Sequence, residues 1–149
     1  MSIDGVDKGA LESLIRKVLA ETLREEGGIG GCPIKSVSLP KIAVSEADRL
    51  NTGHADDVVY THDLFSLAES PRLGAGIMEM KKTTFAWTLD YDEIDYVIEG
   101  KLNILYQGTT VSAKAGELIL IPKGSQIQFC VPEFARFLYV TYPADWQAK

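Results

Sequence analysis

The fold of this chain is indicated most clearly by one stretch, Trp87-Thr88-Leu89-Asp90-Tyr91-Asp92-Glu93-Ile94-Asp95-Tyr96-Val97-Ile98-Glu99-Gly100. It contains short runs of strand-favouring residues, and similar runs rich in Val, Ile, Tyr, Phe and Thr recur from about Lys41 onward. They predict nine strands, at Val58–His62, Ile77–Lys81, Thr84–Leu89, Glu93–Ile98, Leu102–Tyr106, Thr110–Ala113, Leu118–Ile121, Ile127–Val131 and Arg136–Thr141. Turn pairs fall between several of them, at Gly100-Lys101, Gln107-Gly108, Ala115-Gly116 and Lys123-Gly124. This spacing is typical of an antiparallel sandwich or barrel.

The same stretch resembles the first sequence motif of the cupin family. In that motif two alternating histidines precede a glutamate, and a glycine follows seven positions after the glutamate. Glu93 and Gly100 match, whereas Trp87 and Leu89 stand at the histidine positions. The resemblance implies an all-β fold, a cupin-type antiparallel β-barrel of the double-stranded β-helix or jelly-roll kind.

A second cupin motif also has a counterpart further along the chain. It consists of a glycine, five residues, Pro-x-Gly, and a histidine three positions later. Gly116, Pro122 and Gly124 meet it, and Ile127 occupies the histidine position. Glycine can take the positive φ of tight turns and proline fixes the chain ahead of one, so these residues are a signature of fold rather than of activity.

The residues at the three histidine positions argue against the usual cupin metal site. In the usual cupin site, three imidazoles and one carboxylate bind a divalent transition metal. Here Trp87, Leu89 and Ile127 replace the imidazoles. We therefore expect no tightly held metal at these positions, and a narrow, dry cavity instead.

In a dry cavity the remaining carboxylate, Glu93, would favour its protonated form, because burial without a partner disfavours a charge. Strand alternation places Asp95 and Val97 on the same face as Glu93. Two carboxylates in one cavity can share a proton as an acid/base device, or hold a hard cation such as Mg²⁺ or Ca²⁺. The alternative is that Asp95 turns out to solvent and Glu93 bonds a tyrosine hydroxyl, such as that of Tyr91 or Tyr106.

The stretch 87–100 also carries a closer resemblance, together with Lys114-Ala115-Gly116-Glu117, Ile121-Pro122-Lys123-Gly124-Ser125 and Arg136-Phe137-Leu138-Tyr139-Val140. These segments, within about residues 57–147, resemble the ethanolamine utilization protein EutQ family, in which the same histidines are lost. The resemblance implies a function in bacterial ethanolamine catabolism, whose enzymes work inside a protein-shelled microcompartment.

The family resemblance further implies an acetate kinase activity, in which ATP and acetate give acetyl phosphate and ADP. The chain has no GxxxxGK[ST] loop to cradle phosphates. Our candidate catalytic residues are Glu93, Asp95 and Tyr91, with Glu93 and Asp95 as ligands of a Mg²⁺ ion that accompanies ATP. The candidate substrate-binding residues are Trp87, Tyr106, Lys82 and Arg136, of which Lys82 or Arg136 would lie near the phosphates.

The N-terminal region predicts an amphipathic helix. Its apolar residues recur at three- and four-residue spacing, at Leu11, Leu14, Ile15, Val18, Leu19 and Leu23. We divide the chain into this helical region (1–26), a Gly/Pro linker (27–40) and a cupin domain (41–149). The helix resembles the encapsulation peptides that recruit cargo to microcompartments, which implies shell proteins as partners through residues 10–25. The alternatives are that it docks on a dimer mate or packs on the barrel as an ordinary element.

Composition narrows the remaining possibilities. The formal net charge is −6, and the Lys81-Lys82 pair is the only dense basic cluster, so a nucleic-acid partner is not expected. No apolar run approaches a membrane span and no secretory signal is present, so we expect a cytoplasmic location, within a microcompartment. We expect a homodimer. The alternatives to an enzyme are a non-catalytic microcompartment assembly factor and a barrel that binds a small molecule.

Overall fold

The computed structural model describes residues 8–27 and 32–148 of the 149-residue chain. They belong to two compact units, Met1–Ser38 and Leu39–Lys149. Residues 28–31 of the predicted linker and residues 1–7 of the predicted helical region lie outside the described residues. Within the described ranges, no helix has the length and apolar character that crossing a membrane requires.

The predicted N-terminal helix is confirmed as α1, which spans Lys8–Gly27. The side chains of residues 9–19 are exposed within the unit. Its exposed apolar side chains are Leu11, Leu14, Ile15, Val18 and Leu19. They recur at the spacing of one helix face, so α1 presents an apolar stripe rather than a buried core face.

The second unit is an antiparallel sheet of six strands: β1 (Val58–Asp63), β2 (Gly74–Thr88), β3 (Asp92–Tyr106), β4 (Thr109–Lys114), β5 (Leu118–Ile121) and β6 (Gln126–Tyr142). The predicted antiparallel architecture is confirmed, and so are the turns at Gln107-Gly108, Ala115-Gly116 and Lys123-Gly124. The prediction of nine strands was wrong, because three pairs of predicted strands are single long strands. Gly100-Lys101 in particular lies inside β3 rather than between two strands.

The long strands bend where their backbone leaves the regular extended conformation. In β2, the register with β6 shifts between Lys81 and Thr83, and Lys82 there has a φ of 46°. In β3, Gly100 has a φ of +80° and the register with β6 shifts on both sides of it. An added residue of this kind bends a strand without ending it. The bends let each long strand contribute to both halves of a curved sheet.

Strand pairing places β3 and β6 at the centre of the sheet. The order is β1-β2-β6-β3-β4, with β5 also paired to β3, and among the described strands the sheet does not close into a ring. Alternate residues of β2, β3 and β6 are buried and form one apolar core, including Phe85, Val97 and Phe137. We call the space that these inward side chains surround the lumen.

Candidate functional site

Glu93 and Asp95, which we call the carboxyl pair, both point into the lumen from β3. Buried and exposed residues alternate along the first half of this strand, and Glu93, Asp95 and Val97 are the buried ones. Asp95 is 0% exposed and Glu93 is 3% exposed. The predicted shared face is therefore confirmed, and the alternative in which Asp95 turns to solvent is excluded.

Several oxygen atoms of this region are buried without a hydrogen-bond partner. They are Oε1 of Glu93, both carboxyl oxygens of Asp95, and Oγ1 of Thr141. Glu93 lies directly opposite Thr141 in the ladder between β3 and β6, and Asp95 lies opposite Tyr139. Buried polar atoms are normally satisfied, so a group of four unpaired oxygens on adjacent positions marks this as a functional-site candidate.

Burial changes the proton affinity of the carboxyl pair. Loss of hydration raises the pKa of Glu93 to about 7, partly offset by the neighbouring side chains of Asp95 and Tyr91. The same cause, together with the charge of the neighbouring Glu93, raises the pKa of Asp95 well above its usual value. Two neighbouring carboxyls in low dielectric resist double ionisation. Near neutral pH the pair therefore holds at least one proton.

The cavity next to Glu93 is small and has mainly aromatic walls. Besides Glu93 it is lined by Leu50, Met78, Phe85, Trp87, Tyr91, Phe129, Tyr139 and Trp146. Its volume is about 10 Å³ for the centre of a water-sized sphere, which is room for about one water molecule. The expectation of a narrow, apolar lumen agrees with this geometry.

Hydrogen bonds fix the polar edges of the aromatic walls. The indole Nε1 of Trp87 donates to the hydroxyl of Tyr91 at 2.8 Å. The hydroxyl of Tyr139 donates to Oδ1 of Asp63 at 2.7 Å, and Nε1 of Trp146 donates to the same oxygen at 3.3 Å. Because each of these donors already has an acceptor, the rings are held in place around the cavity.

The structure does not offer the usual cupin metal ligands. Of the three residues at the histidine positions, Leu89 and Ile127 are buried in the core and Trp87 packs against it. Within residues 8–27 and 32–148, no cluster of three or more His, Cys, Asp or Glu is placed to hold a metal ion. A Mg²⁺ ion keeps several waters around it. The cavity next to Glu93 does not have that space, so the carboxyl pair does not fit a hydrated Mg²⁺ ion.

Two predicted phosphate-binding residues, Lys82 and Arg136, do not reach the lumen. Arg136 points to the opposite face of β6 from the buried Phe137, since neighbouring residues of a strand face opposite sides. Its guanidinium forms an ion pair with Glu79 and donates to the main-chain oxygens of Leu39 and Ile42. Lys82 is exposed at the bulge of β2. Neither cation therefore reaches the carboxyl pair, at which the Mg²⁺ of ATP was expected to bind.

Tyr106, another predicted substrate-binding residue, lies outside the lumen. It is half-exposed at the end of β3. It lines two surface depressions of about 380 and 390 Å³, one of which is also lined by Trp87 and both of which are lined by Ile127. The structure therefore brings Trp87, Tyr91, Glu93 and Asp95 together and leaves Tyr106, Lys82 and Arg136 outside.

Sequence reasoning missed three members of this site. Trp146 follows the last strand, and Asp63, which it bonds, lies 83 residues earlier in the chain. No local pattern connects such distant positions. Thr141 could have been predicted. It lies two and four residues after the apolar Tyr139 and Phe137 on β6, so it faces the same side and is a polar residue at an inward position.

A bent antiparallel sheet around an apolar lumen, with both cupin glycine motifs at its turns and bends, defines this unit as a cupin lacking the metal-binding histidines. The cupin domain of Schizosaccharomyces pombe Cnp3 has the same fold, with a TM-score of 0.53 at 19% identity over 72% of this chain and 73% of that one. The family model described as "Ethanolamine utilisation protein EutQ" matches residues 6–148, and the chain belongs to this family.

Individual relatives agree with the family assignment. The chain is 56% identical over 158 residues to a Clostridioides difficile protein named "Acetate kinase EutQ", spanning 100% of this chain and 99% of that one. The solved structure of Clostridium difficile EutQ has a TM-score of 0.77 at 66% identity, over 80% of this chain and 86% of that one. The Salmonella typhimurium protein named "Acetate kinase EutQ" is 48% identical over 86 residues, which are 58% of this chain and 38% of that protein.

Proposed function

We propose that this EutQ-family protein is an acetate kinase-type phosphotransferase of ethanolamine utilisation. The observation that carries the proposal is the 56% identity, over the full length of both chains, to a protein named for that activity. A carboxyl pair with raised pKa values beside an aromatic cavity supports a chemical function at the barrel mouth.

The reaction defines what the residues need to do. An oxygen of acetate attacks the γ-phosphorus of ATP, and the bond from that phosphorus to ADP breaks, giving acetyl phosphate and ADP. Acetate is already an anion at neutral pH, so no general base is required. Acetate has four non-hydrogen atoms and does not fit the one-water cavity beside Glu93, so it would bind with ATP outside the lumen. Glu93 would then act as a positioning residue: it would hold Tyr91 and, through the hydrogen bond between Tyr91 and Trp87, the indole ring at the depression.

ATP and its Mg²⁺ would bind outside the lumen, because the cavity beside Glu93 holds about one water. The two depressions lined by Tyr106 have the volume of a ligand site. The half-exposed ring of Tyr106 would give the adenine base a stacking surface. Trp87 lines both the lumen cavity and one depression, so it would connect Glu93 to the place where the two substrates meet.

Replacing Glu93 with glutamine should lower the rate of acetyl phosphate formation by about 10-fold, because the amide changes the contact that positions Tyr91 and Trp87. The assay is purified full-length protein with acetate, ATP and Mg²⁺, read as acetyl hydroxamate. Glu99→Gln is the matched control, because Glu99 is an exposed carboxylate on the same strand. An unchanged rate in Glu93→Gln would remove the carboxyl pair from the reaction.

A second candidate is a non-catalytic assembly factor of the microcompartment. It is favoured by the nearly filled lumen and by the exposed apolar stripe of α1, which suits a groove in shell proteins. In this function, residues 10–25 bind the shell and place the protein inside the microcompartment. Exposed apolar side chains on the outer face of the sheet, including Leu118 and Leu120, would serve a homodimer.

Removing residues 1–26 tests this second candidate. Purified shells should retain full-length protein on sedimentation and leave the truncated protein in the supernatant. The circular dichroism spectrum of the truncated protein should still show a folded β-domain. Leu14→Asp/Ile15→Asp is a sharper variant, since it breaks the apolar stripe of α1 without shortening the chain. Equal sedimentation of all three proteins would contradict a docking function for α1.

A further inference from the structure

The cavity next to Glu93 has the composition of a cation site. Aromatic rings make up most of its wall, and its single charged group is a carboxyl. Four ring pairs in this wall have centroids 5.7 to 6.2 Å apart, so the rings pack against one another where they line the cavity. Rings and a carboxyl around one space are the recognition elements for ammonium-type cations.

The carboxyl pair also lies apart from the cationic side chains of the described residues. Among the described residues, no ion pair joins Glu93 or Asp95 to a Lys, Arg or His side chain. No basic side chain lines the cavity either. A buried carboxylate without a cation or sufficient hydrogen-bond donors is costly, and here Oε1 of Glu93 has no partner at all.

We propose that the lumen cavity binds a water-sized monovalent cation, the ammonium ion, between Glu93 and the surrounding aromatic faces. Ammonium has four N–H donors and a single positive charge. It would donate to Oε1 of Glu93 and would rest its remaining surface on the rings of Trp87, Tyr91 and Trp146. The proposal goes beyond the kinase or assembly function and does not depend on either.

The size and chemistry of the cavity argue against three other occupants. A Mg²⁺ ion with its waters is too large for a space of about 10 Å³. A single water fits, but it is neutral and leaves the charge of an ionised Glu93 uncompensated. An organic amine with several methyl groups exceeds the space unless Trp146 moves.

Binding depends on the ionisation of Glu93. The titratable groups that face Glu93 are Asp95 on the same strand, Tyr91 at the start of β3, and Tyr139 on β6, whose hydroxyl is bonded to Asp63. Burial also raises the pKa of Asp95 and of the two tyrosines, so these groups favour their neutral forms. Glu93 is the charged group that lines the cavity, and ammonium should bind more tightly as pH rises through about 7.

Tryptophan fluorescence of the full-length protein tests this proposal directly, because Trp87 and Trp146 are the two tryptophans of the chain and both line the cavity. The protein is titrated at pH 8 with NH₄Cl, and in parallel with NaCl and trimethylammonium chloride at equal ionic strength. We expect a saturable fluorescence change and a rise in melting temperature with NH₄Cl only. At pH 5 the response to NH₄Cl should be lost.

Two variants complete the test. Glu93→Gln should lose the ammonium response, and Glu99→Gln, an exposed control on the same strand, should keep it. Should Glu93→Gln fold poorly, the comparison of NH₄Cl with trimethylammonium on the native protein still decides the question. Equal responses to all three salts, or a null response to NH₄Cl at pH 8, would overturn the proposal whatever the kinase assay gives.

Discussion

Replacing Gly100 with alanine should abolish or severely weaken folding, whereas the same change at Gly116 should be tolerated. Both glycines have positive φ, +80° at Gly100 and +90° at Gly116. An alanine at either position carries the strain of a left-handed backbone, about 1 to 2 kcal/mol. Only at Gly100 would the new methyl group also meet another part of the chain.

The contact at Gly100 involves backbone that cannot turn aside. A Cβ there would lie 2.0 Å from the main-chain oxygen of Phe134 and 2.8 Å from its carbonyl carbon, whereas at Gly116 nothing lies within 4 Å. Relieving the clash means separating β3 from β6, the two central strands. We expect a loss of unfolding free energy of at least about 4 kcal/mol for Gly100→Ala. Urea unfolding of both variants measures the difference, and equal losses would contradict the close approach of these strands.

Gly100 also illustrates what local sequence leaves undecided about the fold. A glycine with positive φ serves equally well in a turn between two strands and in a bend within one strand. The choice depends on β6, which pairs with β3 both before and after Gly100 and keeps it one continuous strand. That pairing joins residues 23 to 50 positions apart in the chain, so only the cupin resemblance, not local spacing, could indicate it.

Strand alternation predicted the part of the candidate site that lies on β3. Alternation placed Glu93 and Asp95 on one inward face, and the cupin motif marked Trp87 as their neighbour. The same rule, had it been applied from Phe137 and Tyr139, would have turned Arg136 outward. Trp146 lay beyond any rule of this kind, since it reaches the lumen through tertiary contacts with Asp63 and Tyr139.

The carboxyl pair should make the free energy of unfolding fall as pH rises from about 4.5 to about 7. In the unfolded chain Glu93 ionises near 4.5, whereas burial raises its pKa to about 7 in the folded protein. Between these values the unfolded state binds fewer protons than the folded state, so stability declines with pH. The raised pKa of Asp95 acts in the same direction. Thermal unfolding at a series of pH values, at constant ionic strength in sodium buffers that lack ammonium, measures this decline in stability.

Asp95→Asn should remove the part of this penalty that Asp95 contributes and stabilise the protein at pH 8. Asparagine keeps the shape of the side chain, is neutral at every pH, and supplies an N–H donor to Glu93. Each unit by which burial raises a carboxyl pKa costs about 1.4 kcal/mol once the unfolded chain is ionised. We therefore expect a rise in melting temperature on the order of 5 °C at pH 8. At pH 3 the change should be small, because the carboxyl is then largely protonated in both states.

Asp90→Asn is the matched control for this experiment, since Asp90 is an exposed aspartate in the loop before β3 and its replacement should leave the melting temperature nearly unchanged at both pH values. A gain at pH 8 confined to Asp95→Asn would mean that the chain retains a destabilising acid at the centre of its core. Acidic groups kept at such a cost are characteristic of functional sites. A loss of stability at pH 8 would instead show that a group bound in the lumen compensates ionised Asp95. That ligand would then be the hydrogen-bond partner of the unpaired carboxyl oxygens.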